Sequence, residues 1–302
     1  MGHNHNHNHS HGTDYGRAFA IGVMLNLAFV IVEFVFGKIS NSVALVADAG
    51  HNLSDVLGLA LAWGAAVLAK RSPTPKRTYG FRRSSILAAV INAGTLMLAV
   101  GAIAWEAIGR INNPEPVAGK TIIAVAAIGI VINALTAFLF ISGRESDMNV
   151  RAAFMHLMAD AFVSLGVVIT GVLILLTGWL LLDPVVSLII SAVIVLGTWS
   201  LLRDSVNLAL DAVPMHIDTN KVNEYLKSLP HCTNVHDLHI WAMSTTETAL
   251  TVHLVIEGKT YDDTMLSKIT HELHDQFGIE HATLQIENGD PSFACHCQLV
   301  TV

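Results

Sequence analysis

The first two-thirds of this chain hold six apolar stretches, roughly 17–37, 42–69, 84–109, 119–142, 152–177 and 182–208. Each approaches or exceeds the length of about 20 residues that an α-helix needs to cross the hydrocarbon core of a bilayer. Hydrocarbon offers the backbone no water, so a spanning stretch must satisfy its amides internally, as helix. Over all 302 residues, 52% are hydrophobic and only 14% charged, which excludes an ordinary soluble domain of this length. The expected fold class is therefore membrane α-helical, with six transmembrane helices. The first stretch lacks a small-residue cleavage site and five more follow it, which argues against a removable signal peptide.

Basic residues set the expected orientation. Lys70, Arg71, Lys76, Arg77, Arg82 and Arg83 fall between the second and third stretches, and Arg144 and Arg151 between the fourth and fifth. The alternate links hold little beyond Lys38 and Lys120. Positive-inside bias places the first set in the cytoplasm, and six spans then leave both termini there. The basic link is read as a topology signal rather than a dock for lipid or for the acidic tail. It contains neither Asp nor His, so no metal is expected in it. Net charge of -7 argues against a nucleic-acid partner.

Beyond Asp211 and Pro214 the composition changes, and residues 212–302 read as a small cytoplasmic α+β domain following the membrane-spanning helices of residues 14–211. DTNKVNEYLKSL has an Asp N-cap and helical spacing. TNVHDLHIWAMS and ETALTVHLVIE alternate as strands, DDTMLSKITHELHDQFG is an amphipathic helix ended by Gly278, and HATLQIE alternates again, giving the order α-β-β-α-β. Leu250, Val252, Leu254 and Ile256 should face a core, with His253 and Glu257 opposite; Ala282, Leu284 and Ile286 should do the same with His281 and Glu287 opposite. Parity along the first strand groups His239 with Trp241 and puts His236 on the other face. Residues 1–13, MGHNHNHNHSHGT, cannot bury a core and should be disordered, either a loose metal-gathering tail or an expression tag. Cys232, Cys295 and Cys297 all lie on the reducing side, where thiolate metal binding is favoured over a disulfide.

Two ionisable pairs sit inside the apolar stretches: His51 with Asp55, and His156 with Asp160. An i, i+4 spacing puts each pair on one helix face. Ionisable groups at membrane depth cost roughly 2.5–3.5 kcal/mol each on insertion scales, so their presence points to function. Two nitrogens and two carboxylate oxygens make a tetrahedral set suited to Zn²⁺ or a similar borderline cation. Asp48 lies three residues before His51, where it relays protons, orients His51 or caps the helix entry. Asn26 and Glu33 form a polar stripe on the first helix, either lining a vestibule or bonding across helices.

ALVADAGHNLSD, RTYGFRRSSILAAVINA, MHLMADAFVSLG, DPVVSLIISAVIV, VHDLHIW and HATLQIE occur in this order along the chain. Together they resemble the cation diffusion facilitator family of zinc transporters, especially the bacterial branch exporting zinc, cadmium or cobalt. The resemblance implies a homodimer and a transport site of His51, Asp55, His156 and Asp160 that exchanges outgoing metal for incoming protons. It also implies a regulatory tail that binds metal through His236, His253, His281 and Glu287, with Cys295 and Cys297 near the terminus. His236 is ranked above His239 on this ground; His216 and His296 are weaker candidates. The family's usual CxxC appears here as CxC, and its usual acidic residue after the basic link appears as Ser85.

The resulting expectation is a proton-coupled antiporter in the bacterial inner membrane, with Zn²⁺ as substrate and as ligand of the tail, and Cd²⁺ or Co²⁺ as further substrates. The alternatives are a passive metal channel or a membrane metal sensor. A membrane metalloenzyme fits less well, since HExxH is absent and no covalent chemistry is implied.

Overall fold

In the computed structural model, which describes residues 15–139, 141, 148–258 and 262–288, all six apolar stretches are helices. They are α1 (Tyr15–Ile39), α2 (Val43–Ala69), α3 (Ser84–Asn112), α4 (Gly119–Leu139), α5 (Met148–Thr177) and α6 (Leu182–Ala209). Among the described residues, α2 to α6 are long and apolar enough to cross a membrane; α1 adds 25 residues of helix. The start of α5 lies four residues before the expected 152, because backbone hydrogen bonding carries the helix beyond its apolar run. Arg144 and the His-rich segment 1–13 lie outside the described residues.

The chain divides into two compact units, residues 1–59 with 94–199, and residues 60–93 with 200–302. In the first unit, Phe29, Leu45, Leu96, Ile122, Val167 and Ile194 belong to one buried cluster. Small residues let its helices touch. A Cβ on Gly171 of α5 would stand 2.8 Å from Ile123 Cγ1 and 3.2 Å from the carbonyl oxygen of Gly119 on α4. Close backbone approach of this kind supplies dispersion contact where no water is left to expel.

The turn from α1 to α2 is held from a distance. Asn41 adopts φ 58°, a left-handed conformation that Asn tolerates better than most residues. Its carbonyl and side-chain oxygens accept from Arg110, the latter at 2.8 Å. Asp183 at the start of α6 is fully buried and accepts from Ser42 Oγ and, at 2.7 Å, from the amide of Val43. It thereby satisfies donors that the start of α2 would leave orphaned.

In the second unit the α-β-β-α-β order is present: α7 (Thr219–Lys227), β1 (Cys232–Ala242), β2 (Thr248–Ile256), α8 (Asp263–Phe277) and β3 (His281–Glu287). Asp218 and Asp262 cap α7 and α8 by accepting backbone amides, and Gly278 ends α8 at φ 66°. The sheet order is β1-β2-β3, antiparallel then parallel. Parallel pairing needs a crossover, which α8 supplies. Leu250, Val252, Leu254 and Ile256 are all buried, packed with Val222, Leu226, Ile269 and Leu273. The opposite face of β2 keeps its polar residues.

The reading of the basic link as topology alone needs correction. Arg82 Nη1 lies 3.0 Å from Glu247 Oε2, Arg83 pairs with Asp211, and the amide of Thr245 donates to Ser85 Oγ at 3.1 Å. Residues 82–85 thus contact the tail directly, and Ser85 serves as an acceptor where an acidic residue was the family expectation.

Candidate metal sites

His51 and Asp55 stand one helical turn apart on α2, as do His156 and Asp160 on α5. The structure turns both faces toward each other. His51 Nε2 lies 3.4 Å from Asp160 Oδ1, and His156 Nε2 lies 3.2 Å from Asp55 Oδ2. Within each helix, His51 Nδ1 is 3.8 Å from Asp55 Oδ2 and His156 Nε2 is 3.6 Å from Asp160 Oδ2. The four side chains therefore close a ring in which imidazole and carboxylate alternate. A tetrahedral cation with bonds of about 2.0–2.1 Å has ligand–ligand edges of about 3.3–3.4 Å. The two contacts between helices, 3.4 and 3.2 Å, are of that size, and the two within helices, 3.8 and 3.6 Å, are longer; His51 and Asp160 each take part through both of their donor atoms.

His51, Asp55 and Asp160 offer donor atoms that all lie within 4.8 Å of one another. His51 Nδ1, Asp55 Oδ2 and Asp160 Oδ1 are buried and make no hydrogen bond. Asp160 is the most enclosed member, with a side chain 5% exposed, and His156 the most open, at 48%. Unpaired lone pairs in a closed apolar setting are costly unless something binds them.

Asp48 and Glu33 are both fully buried beside this ring. Ser164 Oγ donates to Asp48 Oδ2 at 2.8 Å, and Asn52 Nδ2 donates to Glu33 Oε2 at 3.2 Å. The two readings of Glu33 divide in favour of bonding across helices. Asn26 is half-buried and makes no side-chain hydrogen bond among the described residues.

A second cluster lies on the polar face of the sheet. His236 pairs with His253 across β1 and β2, and Val255 with Glu287 across β2 and β3. His236 Nε2 is 3.1 Å from Glu287 Oε2, and His253 Nδ1 is 2.8 Å from Glu287 Oε1. The three donors fall within 4.8 Å. Burial alone would raise the Glu287 carboxyl, but hydrogen bonds from His236 and His253 outweigh it and hold the group below the usual glutamate range.

The other sequence candidates lie elsewhere. His281 opens β3, six residues or about 20 Å of strand from Glu287, and its Nε2 meets Arg82 Nη1 at 2.6 Å. His239 is exposed and bonds to Asp237 at 3.0 Å. His216 sits in the exposed turn before α7. Cys295, His296 and Cys297 lie outside the described residues. Cys232 is half-buried and burial pushes its thiol up, away from thiolate chemistry.

Parity along β1 failed because the register breaks between His236 and His239, where Asp237 takes φ 53°. The bulge brings Asp237 Oδ2 to 3.6 Å from His253 Nε2. Sequence reading missed Asp237; its signal was the run of three polar residues within His236–His239, which simple alternation cannot place on one face.

Residues 19–208 match the family described as the cation efflux transmembrane domain, and residues 214–289 match the cation efflux protein cytoplasmic domain. The zinc transporter ZitB of Escherichia coli K12 is 37% identical over 271 residues, 89% of this chain and 86% of the relative. A cadmium, cobalt and zinc/H(+)-K(+) antiporter of Bacillus subtilis 168 is 33% identical over 304 residues, 98% of this chain and 96% of the relative. The metal cation efflux system protein CzcD of Cupriavidus metallidurans is 35% identical over 272 residues, 90% of this chain and 86% of the relative. A solved metal-bound C-terminal domain of the CzcD transporter is 33% identical and covers 24% of this chain and 99% of its own, with TM-score 0.22.

Proposed function

The chain belongs to the cation efflux family, and from that membership we propose that it is an integral membrane antiporter that exports divalent metal cations, Zn²⁺ foremost, in exchange for protons. The observation that carries this reading is the closed His51–Asp55–His156–Asp160 ring, with edges of 3.2–3.8 Å. Two carboxylates supply the charge that offsets a divalent cation, and two imidazoles complete its shell as water leaves. Metal needs the imidazoles neutral and the carboxylates ionised, so protons and metal compete for the same lone pairs. Competition becomes coupling when one conformation opens the ring to the cytoplasm and another opens it outward. The charge bias of the links puts both termini in the cytoplasm of a bacterial inner membrane. Cd²⁺ and Co²⁺ accept the same donor set.

The tail serves as a dimerisation and sensing domain. His236, His253 and Glu287, with Asp237 at the edge, fit a borderline cation: the donors are nitrogen and carboxylate, and they converge within one face of the sheet. A bound Zn²⁺ would supply a cross-link there that steadies paired tails.

Zinc uptake into inverted membrane vesicles, with and without an acidic lumen, tests the reading. The antiporter accumulates Zn²⁺ faster when the lumen is acid, and Asp160→Ala abolishes that uptake at normal abundance. Flux that ignores the proton gradient would instead indicate a channel, and binding without flux a sensor.

A further inference from the structure

The stretch of α2 around His51 is tied to two other helices. Three residues before His51, Asp48 Oδ2 accepts from Ser164 Oγ of α5 at 2.8 Å. One residue after it, Asn52 Nδ2 donates to Glu33 Oε2 of α1 at 3.2 Å. All four of these side chains are buried, where a hydrogen bond is stronger than one exposed to water. Ser164 is the unusual member. A hydroxyl inside a helix ordinarily bonds back to the carbonyl one turn earlier, as Thr136 does to Ile132 and Thr170 to Gly166, both at 2.8 Å. Ser164 instead crosses to α2. A Cβ on Gly129 of α4 would stand 3.3 Å from Ser164 Oγ and 2.7 Å from the Phe29 ring, so packing from α4 and α1 is tight on that side of the hydroxyl.

The Ser164–Asp48 bond lies at one end of the metal ring. Asp48 is about one turn from His51 and Ser164 one turn from Asp160, and these two ring members meet at 3.4 Å. Asp55 and His156 are about two turns away, seven residues from Asp48 and eight from Ser164. Exposure follows the same order: the Asp160 and His51 side chains are 5% and 21% exposed, those of Asp55 and His156 30% and 48%. The ring thus has a braced, closed end and an unbraced, open one.

We propose that the Ser164–Asp48 bond is a positioning brace that sets the separation of α2 and α5 at the closed end of the ring, and thereby the size of cation the four donors accept. This rests on the ring being the metal site. Each ligand carrier is a helix, stiff over one turn, so a contact fixed at 2.8 Å limits how far His51 and Asp160 can part. Zn²⁺ fits the resulting 3.4 Å edge; Cd²⁺, a larger ion that takes the same donors, needs a wider one. The open end admits and releases the cation. Asp48 and Ser164 act through His51 and Asp160 rather than on the metal.

The test is the ratio of Zn²⁺ to Cd²⁺ affinity of the purified full chain, each cation measured alone by competition against a chromophoric chelator. Ser164→Ala deletes one oxygen and leaves the packing against Gly129 in place. It should shift the ratio toward Cd²⁺ by about tenfold, the order set by loss of one buried hydrogen bond. Asp48→Ala should shift it equally, and the double substitution no further. Asp48→Asn, whose side-chain oxygen still accepts from Ser164, should recover the parental ratio. The visible absorption of Co²⁺ bound in place of Zn²⁺ should change in Ser164→Ala, a signature of donor geometry that a loss of stability alone does not produce. A ratio that holds in Ser164→Ala, equal loss of both cations, additive effects in the double substitution, no recovery in Asp48→Asn, or a Co²⁺ spectrum like the parent's overturns the brace alone. Binding of either cation undiminished in Asp160→Ala overturns the ring itself.

Discussion

Replacing Asp160 by Asn keeps the shape of the most enclosed ring member and removes its charge. In the unsubstituted ring a bound divalent cation is balanced by Asp55 and Asp160; in the variant one positive charge stays uncompensated beside a side chain only 5% exposed. Breaking a buried charge pair by deleting one partner costs about 3–5 kcal/mol. At about 1.4 kcal/mol per decade, Zn²⁺ affinity should fall by roughly two to three and a half orders of magnitude. The metal-free protein should behave differently. There Asp160 faces His51 at 3.4 Å and His156 at 3.6 Å, contacts that the amide of Asn can keep in neutral form, so the melting temperature should fall by far less than the loss of metal affinity implies. Competition against a chromophoric chelator measures the affinity, and thermal unfolding without metal measures the fold. A drop of less than tenfold, or a collapse of apo stability matching the loss of affinity, refutes the reasoning.

Asp183→Ala removes the buried acceptor of Ser42 and of the Val43 amide, and should destabilise the helical unit by about 2–3 kcal/mol in thermal unfolding, with Asp183→Asn less affected. A double-mutant cycle of Arg82→Ala with Glu247→Ala should give a coupling of about 0.5–1 kcal/mol, since both side chains are about a third exposed. Glu287 is held below its ordinary range in the fold, so its contribution is present above the unfolded value and is lost as pH falls through the lowered one. Hydrogen-exchange protection of β3 should decline over that acidic window, and Glu287→Gln should remove the decline.

The sequence made the helices and the ring legible for one physical reason: in hydrocarbon, length, apolarity and charge cost leave few choices, and an i, i+4 His–Asp pair has one geometry. The sheet was legible where alternation was strict, as from Leu250 to Ile256. Pairings that depend on tertiary approach were not legible. Nothing local marks Asp183 as the cap of a helix that begins 140 residues earlier, or sets Arg82 against His281 rather than leaving His281 to the metal cluster. Glu33 and Asp48 could each be singled out as a buried charge, but their donors, Asn52 on α2 and Ser164 on α5, come from other helices.

Asp237 shows how one backbone conformation can decide a site. At φ 53° it occupies left-handed space, which costs most residues about 1–2 kcal/mol and is steeply worse for a β-branched side chain. The bulge this creates lets His236 and His239 escape strict alternation, so His236 reaches Glu287 while His239 turns outward. Two substitutions separate the backbone from the carboxylate. Asp237→Gly keeps the conformation and deletes the carboxylate 3.6 Å from His253; Asp237→Val deletes both. If the bulge positions the donors, Gly should retain most of the metal affinity of the tail, and Val should lose it together with protection of the β1–β2 amides. Equal loss in both variants, with the sheet intact, would make the carboxylate itself the ligand that matters and the bulge only its carrier.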